Sequence, residues 1–333
     1  MTAVVTGAAG HVGGNLVRAL LAQGRKVRAM VHEDLQALEG LDVEIIKGDV
    51  CEPASLREAF RRAEAVYHAA GYISLQWNEW KQVEAVNVLG VRNVVEACQA
   101  CGVKRLVHFS SIHALQQEPL DLPLDESRPL VSASRYPPYD RSKAAGEKEV
   151  RRAIEQGLDA VILYPTGIIG PYDFRPSHFG EVLLLLANGK MPALVKAGFD
   201  WVDVRDVAAA ALCCEDLAPA GARYLLSGHW VSIPDLAAQV AAISGTPAPR
   251  LIFPMSLARL GAPFVHFFQR KEQRPLFTSV SLHALRGNRD IRHERASREL
   301  GYRPRPFEET LKDTLNWFVE TGRLSRPSAA PTN

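Results

Sequence analysis

Tyr139 and Lys143 are the two residues whose types and spacing point most directly to chemistry. If the segment from Tyr139 to Ile154 is helical, residues four positions apart share a face, so the lysine ammonium can lie near the phenol oxygen. A free phenol has a pKa of about 10, and a nearby cation lowers this pKa by stabilising the phenolate. Only such a lowered pKa makes tyrosine an effective acid or base near neutral pH. The pair therefore predicts acid–base catalysis, although the same spacing is also typical of an exposed helix surface.

Three glycines at the spacing Gly-x-x-Gly-x-x-Gly form a second candidate site: Gly7, Gly10 and Gly13. A short apolar run before them predicts a buried strand, and apolar residues recur after them at helical spacing. In such a unit Gly7 allows the tight turn, Gly10 lets the backbone approach a pyrophosphate, and Gly13 lets the helix pack closely on the strand. The turn predicts a dinucleotide site at the positive end of the first helix, with an ordinary strand-to-helix turn as the alternative.

The elements that position these residues alternate between strand and helix over residues 1–165. This alternation predicts an α/β domain with a doubly wound parallel sheet of the Rossmann type, which binds ligands at the carboxyl ends of its strands. The predicted strands are Ala3–Val5, Lys26–Val31, Val43–Ile46, Val66–Ala70, Leu106–Ser110 and Ala160–Tyr164, and the longer predicted helices are Glu84–Cys101 and Tyr139–Gln156.

After Pro165 the pattern becomes irregular. We expect residues 166–198 and 228–306 to form a small C-terminal substrate lobe interleaved with the core, and residues of about 199–227 and 307–322 to return to the core. Residues 324–333 are predicted to be a disordered tail. The most apolar stretch, 251–268, is too interrupted by proline and arginine to span a membrane. It predicts a buried lobe helix, with a substrate lid or a membrane-surface contact as alternatives.

Composition argues against several classes of function. The 39 Lys and Arg are balanced by 37 Asp and Glu and are scattered, so no nucleic-acid partner is expected. The five cysteines are odd in number, and their close pairs fall in predicted helices, so we expect reduced thiols. No His, Asp or Glu cluster has the spacing of metal ligands, so no metal is expected. The chain opens in a core strand without a signal-peptide pattern, and we expect a cytoplasmic protein without a transmembrane span.

Ser110 and Ser111, at the end of a predicted strand, complete a recognisable set with the glycine turn and the Tyr139 and Lys143 pair. With them the sequence resembles the extended short-chain dehydrogenase/reductase family, and in pattern its dihydroflavonol-reductase-like and hydroxysteroid-dehydrogenase-like members. The resemblance covers nearly the whole chain. It extends to Gly48-Asp49-Val50, His68-Ala69-Ala70-Gly71, Asn87 with Gly90 and Asn93, Tyr164-Pro165-Thr166, the segment Val202 to Val207, and Arg298 to Tyr302.

The resemblance implies a role for each matching residue. Tyr139 is expected to donate or accept the proton, Lys143 to lower its pKa and hold the nicotinamide ribose, and Ser111 to hydrogen-bond the substrate oxygen. Ser110 is expected mainly to pack or cap, beside the cofactor. The residues expected to bind the cofactor are Gly7, Gly10, His11, Val12, Gly13, His32, Asp49, Val50, Ala69, Ala70, Gly71, Asn87, Ser110, Tyr139, Lys143, Pro165 and Thr166.

The end of the second strand bears on the choice of cofactor. An Asp there would bind the adenosine ribose and favour NAD, whereas an Arg would pair with the 2′-phosphate of NADP. Here Val31 stands at the Asp position and His32 at the Arg position. We therefore expect NADP(H) to be favoured over NAD(H), with Arg28 and Lys47 as candidate helpers.

Three functions compete. The first is an NAD(P)H-dependent oxidoreductase that interconverts a hydrophobic ketone or aldehyde and its alcohol. The second, a nucleotide-sugar epimerase or dehydratase, is less favoured because the family's diphosphate-binding Asn and Arg are missing near Thr166 and near Trp201. The third is a cofactor-binding regulator without catalysis. His113 and His178 are candidate second acids, and the two long predicted helices are expected to form a homodimer interface, as they do in this family.

Overall fold

The computed structural model of the chain describes residues 2–260, 276 and 278–325. Its centre is a seven-stranded, fully parallel sheet in the order β10-β6-β5-β4-β1-β2-β3. The strands are β1 (Thr2–Thr6), β2 (Lys26–Val31), β3 (Glu44–Lys47), β4 (Ala65–His68), β5 (Arg105–Phe109), β6 (Ala160–Pro165), β7 (Gly167–Ile169), β8 (Leu194–Val195), β9 (Gly198–Asp203), β10 (Arg223–Leu226), β11 (His229–Ser232) and β12 (Ile252–Phe253). The doubly wound sheet that the sequence predicts is confirmed.

Helices cover both faces of the sheet, which is why its central strands are apolar on both sides. The helices are α1 (His11–Ala22), α2 (Pro53–Phe60), α3 (Trp80–Glu84), α4 (Gly90–Cys101), α5 (Pro138–Glu155), α6 (His178–Ala187), α7 (Val204–Leu217), α8 (Ile233–Ser244), α9 (residues 255–260), α10 (Ser279–Ala284), α11 (Glu294–Leu300) and α12 (Phe307–Glu320). Helices α1, α7 and α11 pack on one face, and α2, α4 and α5 pack on the other. Among the described residues, no helix has the length and apolar character needed to cross a bilayer.

A π-helical turn, Ala85–Leu89, joins α3 to α4 within the segment that the sequence predicts as one regular helix. A π turn inserts one extra residue into the helical spiral and therefore redirects the side chains within it. Here it turns Asn87 inward, where the residue is only 2 % exposed.

A smaller lobe follows the sheet and has its own apolar cluster, in which Leu183, Trp201, Leu236 and Phe318 are buried. Its main sheet has the order β11-β9-β7, with β7 parallel and β11 antiparallel to β9.

Two segments, β9 and α12, pack in the lobe, whereas the sequence suggests that they return to the core. Strand β9 pairs only within the lobe sheet, although α7 and β10 do return to the core. Helix α12 also packs in the lobe, because the apolar face that carries Leu311, Leu315 and Phe318 meets α8 and β9. The exact division of the chain into core and lobe stays a prediction.

The stretch predicted as a buried lobe helix is exposed over its described part. Leu251, Ile252 and Phe253 are 60 %, 49 % and 42 % exposed, and Leu257 and Leu260 of α9 are 53 % and 71 % exposed. The two residues of β12 add only a short edge to β8, so neither of them enters the core. Residues 261–268 of this stretch, and residues 326–333 of the predicted tail, lie outside the described residues.

Candidate active site

The glycine turn between β1 and α1 is closely packed. Gly7 has a φ of +67°, and a Cβ at this position would lie 2.7 Å from the Ala70 Cα. A Cβ on Gly13 would lie 2.1 Å from the carbonyl oxygen of Gly7. Helix α1 begins without a side-chain cap and has no acidic residue in its first turn, so its first amides face outward for an anion. These features fit the pyrophosphate of a dinucleotide.

The segment after β4 is held over this turn by one buried side chain. The Asn87 amide nitrogen donates to the Tyr72 carbonyl oxygen at 2.8 Å and to the Ser142 hydroxyl at 2.9 Å, and its oxygen accepts from the Tyr72 amide at 2.9 Å. Because all three bonds are made inside the protein, Asn87 fixes the backbone that follows Gly71 against α5. On the same side, Val50 packs against Gly90.

At the end of β2, His32 is exposed, and its Nε2 lies 3.8 Å from an Asp49 carboxylate oxygen. Asp34 forms an ion pair at 2.6 Å with Arg175, so its negative charge is partly balanced. Arg28, one candidate helper, donates to the Ala59 and Arg61 carbonyl oxygens and pairs with Glu44. Its guanidinium is therefore already bonded at the edge of the sheet, whereas the Lys47 side chain is exposed.

Tyr139, Lys143 and Ser111 line one cavity of about 350 Å³. Helix α5 carries the first two on one face, and Ser111 is the second residue after β5. The Lys143 Nζ donates to the Phe109 carbonyl oxygen at 2.6 Å, and the Ser111 hydroxyl hydrogen-bonds the Tyr139 phenol. The structure therefore brings together the three side chains to which the sequence assigns the proton chemistry.

The pKa of Tyr139 differs from the lowered value that the sequence led us to expect. Burial raises the pKa of Tyr139 to about 12, against the opposing effect of the Ser111 hydrogen bond. Burial also lowers the pKa of Lys143 to about 8. The sequence led us to expect Lys143 to lower the Tyr139 pKa, but its ammonium is directed at the Phe109 carbonyl and desolvation of the phenol outweighs other effects. Tyr139 is thus protonated at neutral pH.

Ser110 faces the protein interior. Its hydroxyl donates to Glu147 at 2.8 Å, and the same carboxylate accepts from Tyr164 at 2.6 Å and from Arg151 at 2.6 Å. Glu147 is fully buried and also raises the pKa of Lys143, against the effect of burial. Glu147 was missed from the sequence, although its position four residues after Lys143 on the same helix face was a usable signal.

Two neutral histidines lie in the sheet below Lys143. The His68 and His108 ring centroids are 5.3 Å apart, and the His68 Nδ1 hydrogen-bonds the Thr6 hydroxyl at 2.7 Å. Burial and the Lys143 charge lower the pKa of both, to about 3 for His68. Both imidazoles are therefore uncharged at neutral pH, and Lys143 has no cationic neighbour there.

The rest of the cavity wall is mainly apolar. Pro165, Thr166 and His178 line it, and the Thr166 hydroxyl donates to Asp200 at 2.6 Å. The larger aliphatic and aromatic residues that line it are Val12, Ile73, Leu75, Phe109, Ile168, Phe179, Val182, Leu186, Met191, Leu194, Val195, Phe199, Trp201, Ile233, Leu276, Val280, Leu282 and Leu285. Such a wall is typical of a site for a hydrophobic small molecule.

One further polar group lines this cavity, at the start of α5. Asp140 is 6 % exposed and lies between His113, which follows Ser111, and His283 of α10. Burial raises the pKa of Asp140 to about 8 and lowers the pKa of His113 to about 4. The sequence indicates His113 as a candidate acid, whereas Asp140 and His283 were missed because nothing local signals that they meet.

A parallel sheet with a glycine turn at its switch point, beside a Ser, Tyr and Lys set, defines a dinucleotide-binding enzyme of the Rossmann type. The sequence model of the "NAD dependent epimerase/dehydratase family" matches residues 3–224. The chain belongs to this family, the extended short-chain dehydrogenases/reductases, and is an NAD(P)-dependent oxidoreductase of that family.

Two known proteins are similar to this chain along nearly its full length, and a solved structure has the same fold. The chain is 37 % identical over 334 residues to sterol demethylase protein B of Methylococcus capsulatus, covering 97 % of this chain and 100 % of that protein. It is 27 % identical over 350 residues, or 99 % and 100 % of the two chains, to the 4-hydroxy-2-methyl-3-oxo-4-farnesyl-3,4-dihydroquinoline-1-oxide ketoreductase of Stigmatella aurantiaca. A nucleoside-diphosphate-sugar epimerase from Pseudomonas aeruginosa has the same fold, with a TM-score of 0.81, 24 % identity, and 98 % and 99 % of the chains covered.

The pKa of Asp140 gives a stability test. The folded protein holds a proton up to a pH of about 8 that the unfolded chain, with a carboxyl pKa of 3.8, has already released. The free energy of unfolding of the wild type, measured by urea denaturation, should therefore fall relative to that of Asp140→Asn between these two pH values. The exposed Asp121→Asn is the matched control for the loss of one carboxyl. A difference between wild type and Asp140→Asn that stays constant over this pH range would show that the buried carboxyl is not protonated.

Proposed function

We propose that the protein is an NAD(P)H-dependent reductase, or alcohol dehydrogenase, that interconverts a hydrophobic ketone or aldehyde and its alcohol. The observation that carries this proposal is that Ser111, Tyr139 and Lys143 together line a cavity whose wall is mainly apolar. Within such a wall these side chains offer hydrogen bonds to a substrate oxygen, which orients its carbonyl towards them.

Each of these residues has a separate task in the proposed reduction. Ser111 hydrogen-bonds the carbonyl oxygen, and Tyr139 transfers its proton to that oxygen as negative charge develops there. Lys143 holds the nicotinamide ribose, beside the backbone that Asn87 fixes. When bound, the reduced nicotinamide supplies the hydride. Because burial keeps the Tyr139 phenol protonated, the side chain is suited to the reductive direction.

The substrate class rests on the cavity wall and on the relatives. The wall residues from α6, β9 and α10 are mostly apolar, and the two relatives are named for a sterol and for a farnesyl dihydroquinoline. We therefore propose a bulky, apolar carbonyl substrate. A sugar diphosphate needs cationic and amide partners, which the chain lacks at the two family positions near Thr166 and Trp201.

For the cofactor we propose NADP(H) over NAD(H). Support comes from the end of β2, where the family's Asp position holds the apolar Val31 and where Asp34 is paired with Arg175. The family's Asp position therefore carries no carboxylate and His32 is exposed next to it, while the nearby carboxylates are those of Glu33 and Asp49.

We propose the cytoplasm as the location, on the support of the cysteines. All five are free thiols, which is the state expected in a reducing compartment.

Replacing Tyr139 with Phe tests the proposed acid. The substitution keeps the ring and removes only the hydroxyl, so the turnover number should fall by roughly 10²–10⁴-fold, the usual cost of losing a general acid, while NADPH affinity changes little. Lys143→Ala should weaken both. Steady-state reduction of hydrophobic aldehydes and ketones, with UDP-sugars in parallel, gives the readout.

The matched control is Tyr136→Phe, which removes a phenol hydroxyl next to Arg135 and should keep turnover within a few fold. Near-normal turnover by Tyr139→Phe would reject Tyr139 as the acid and make His113 or His178 the next candidate. Conversion of a UDP-sugar, without net consumption of NADPH, would favour the epimerase alternative.

The cofactor preference is tested by calorimetric titration of NADPH and NADH. NADPH should bind the wild type at least tenfold more tightly, and Val31→Asp should reverse this order by adding a carboxylate at the ribose position. Tighter binding of NADH by tenfold to the wild type would reject the NADP preference and leave the fold unaffected.

We further propose a homodimer built on α4 and α5, which pack side by side. Their outer faces carry an Arg92 and Glu149 ion pair, and Leu89 beside them is 45 % exposed. Light scattering at micromolar concentration should give twice the mass of one chain for the wild type, and a smaller mass for Leu89→Glu. A wild-type monomer would contradict the proposal.

A further inference from the structure

Asp140, His113 and His283, here named the Asp140 cluster, form a polar group in the cavity that the proposed proton transfer does not use. The His113 Nδ1 lies 3.7 Å from one Asp140 carboxyl oxygen, and the His283 Nε2 lies 3.9 Å from the other. Three separate segments meet here: the first turn of α5, the turn after β5, and α10. All three side chains line the same cavity as Tyr139.

The geometry of the cluster leaves hydrogen-bonding capacity for a ligand. Both distances exceed the limit for a hydrogen bond, so neither imidazole donates to the carboxyl of Asp140. A buried polar group without full hydrogen bonding costs free energy, and a ligand oxygen that supplies the missing bonds recovers that cost. The side chains of His113 and His283 are 20 % and 38 % exposed, which leaves their rings open to the cavity.

The charge of the cluster restricts the ligand. Burial keeps the Asp140 carboxyl protonated at neutral pH and both imidazoles neutral, with Arg286 adding to the effect on His283. The cluster then presents O–H and N–H donors and an imidazole acceptor without net charge. Among the described residues no group of His, Cys, Asp and Glu has the arrangement needed to hold a metal ion.

We infer that the Asp140 cluster is a second subsite, which binds an uncharged oxygen group, a hydroxyl or a carbonyl, of the same apolar substrate. This inference rests on the proposed carbonyl reduction. The His113 and Tyr139 ring centroids are 6.1 Å apart, so the second oxygen lies only a few carbon atoms from the reacting carbonyl. The substrate class is therefore an apolar ring system or chain with two oxygen functions, of which Tyr139 serves one and Asp140 the other.

The test compares ketones that differ only in a second oxygen: trans-1-decalone, its ring-hydroxylated isomers, and a ring-carboxylated derivative. The wild type should prefer at least one hydroxyl isomer over the parent ketone by about tenfold in kcat/KM, because a hydrogen-bonding site discriminates against a ligand that leaves it unpaired. Asp140→Leu, close in size and apolar, should bring this ratio to about one, and His283→Leu should lower it.

The control is Glu155→Leu, at the exposed end of the same helix, which should keep the wild-type ratio. If Asp140→Leu does not fold, as judged by circular dichroism, His283→Leu on the more exposed side of the cluster decides the outcome. A ratio near one in the wild type for every isomer, or an unchanged ratio in the folded variants, would overturn the subsite. Preference for the carboxylate would overturn the assignment of an uncharged ligand.

A separate measurement distinguishes failure of the proposed reduction from failure of the subsite. If the wild type reduces no ketone of this panel, the proposed reduction is rejected. Binding of the same ketones to the NADPH-saturated protein, followed through quenching of tryptophan fluorescence by ligands next to Trp201, still gives the ratio of affinities. Tighter binding of one hydroxyl isomer by the wild type, lost in Asp140→Leu, would support the subsite. The absence of this preference from the wild type would overturn it.

Discussion

The candidate site depends on how closely α5 approaches the π turn. A Cβ on Gly146 would lie 2.0 Å from the carbonyl oxygen of Asn87, so this contact tolerates no side chain. The short separation lets the Asn87 amide reach Ser142 and Tyr72 at once. It thereby fixes the helix that carries Tyr139 and Lys143 relative to the backbone around Gly71. A shift of α5 by the width of a methyl group would move Tyr139 and Lys143 away from the backbone around Gly71.

The parts that could be predicted from the sequence follow local rules. The turn at Gly7 needs a positive φ and a close approach to Ala70, and glycine is the residue that permits both. Tyr139 and Lys143 share a helix face because of their spacing alone. The parallel sheet followed from alternating apolar runs and amphipathic helices, and the structure confirms it. The roles given to individual cofactor-binding residues stay predictions, since they concern a bound partner.

The parts that could not be predicted depend on contacts between distant segments. Apolar periodicity marks α12 as amphipathic but does not say whether its face meets the sheet or the lobe. The same holds for the stretch after Leu251, whose hydrophobicity suggested burial and whose described residues are exposed. Asp140 and His283 are 143 positions apart in sequence, so only the fold reveals that they meet. Lys143 was expected to govern the Tyr139 pKa, yet desolvation, a property of the assembled cavity, outweighs it.

Because the lobe is interleaved with the core along the chain, the two parts cannot finish folding at the same time during synthesis. By Pro165 the chain already contains strands β1 to β6 and helix α5, which carries Tyr139 and Lys143. This half of the cavity can therefore form while synthesis continues. The lobe cluster runs from Ile169 to Leu324 and needs Phe318 of the last helix. Its apolar wall residues therefore stay uncovered until nearly the whole chain has left the ribosome. During this interval the nascent chain exposes the apolar residues of the lobe cluster that precede Phe318.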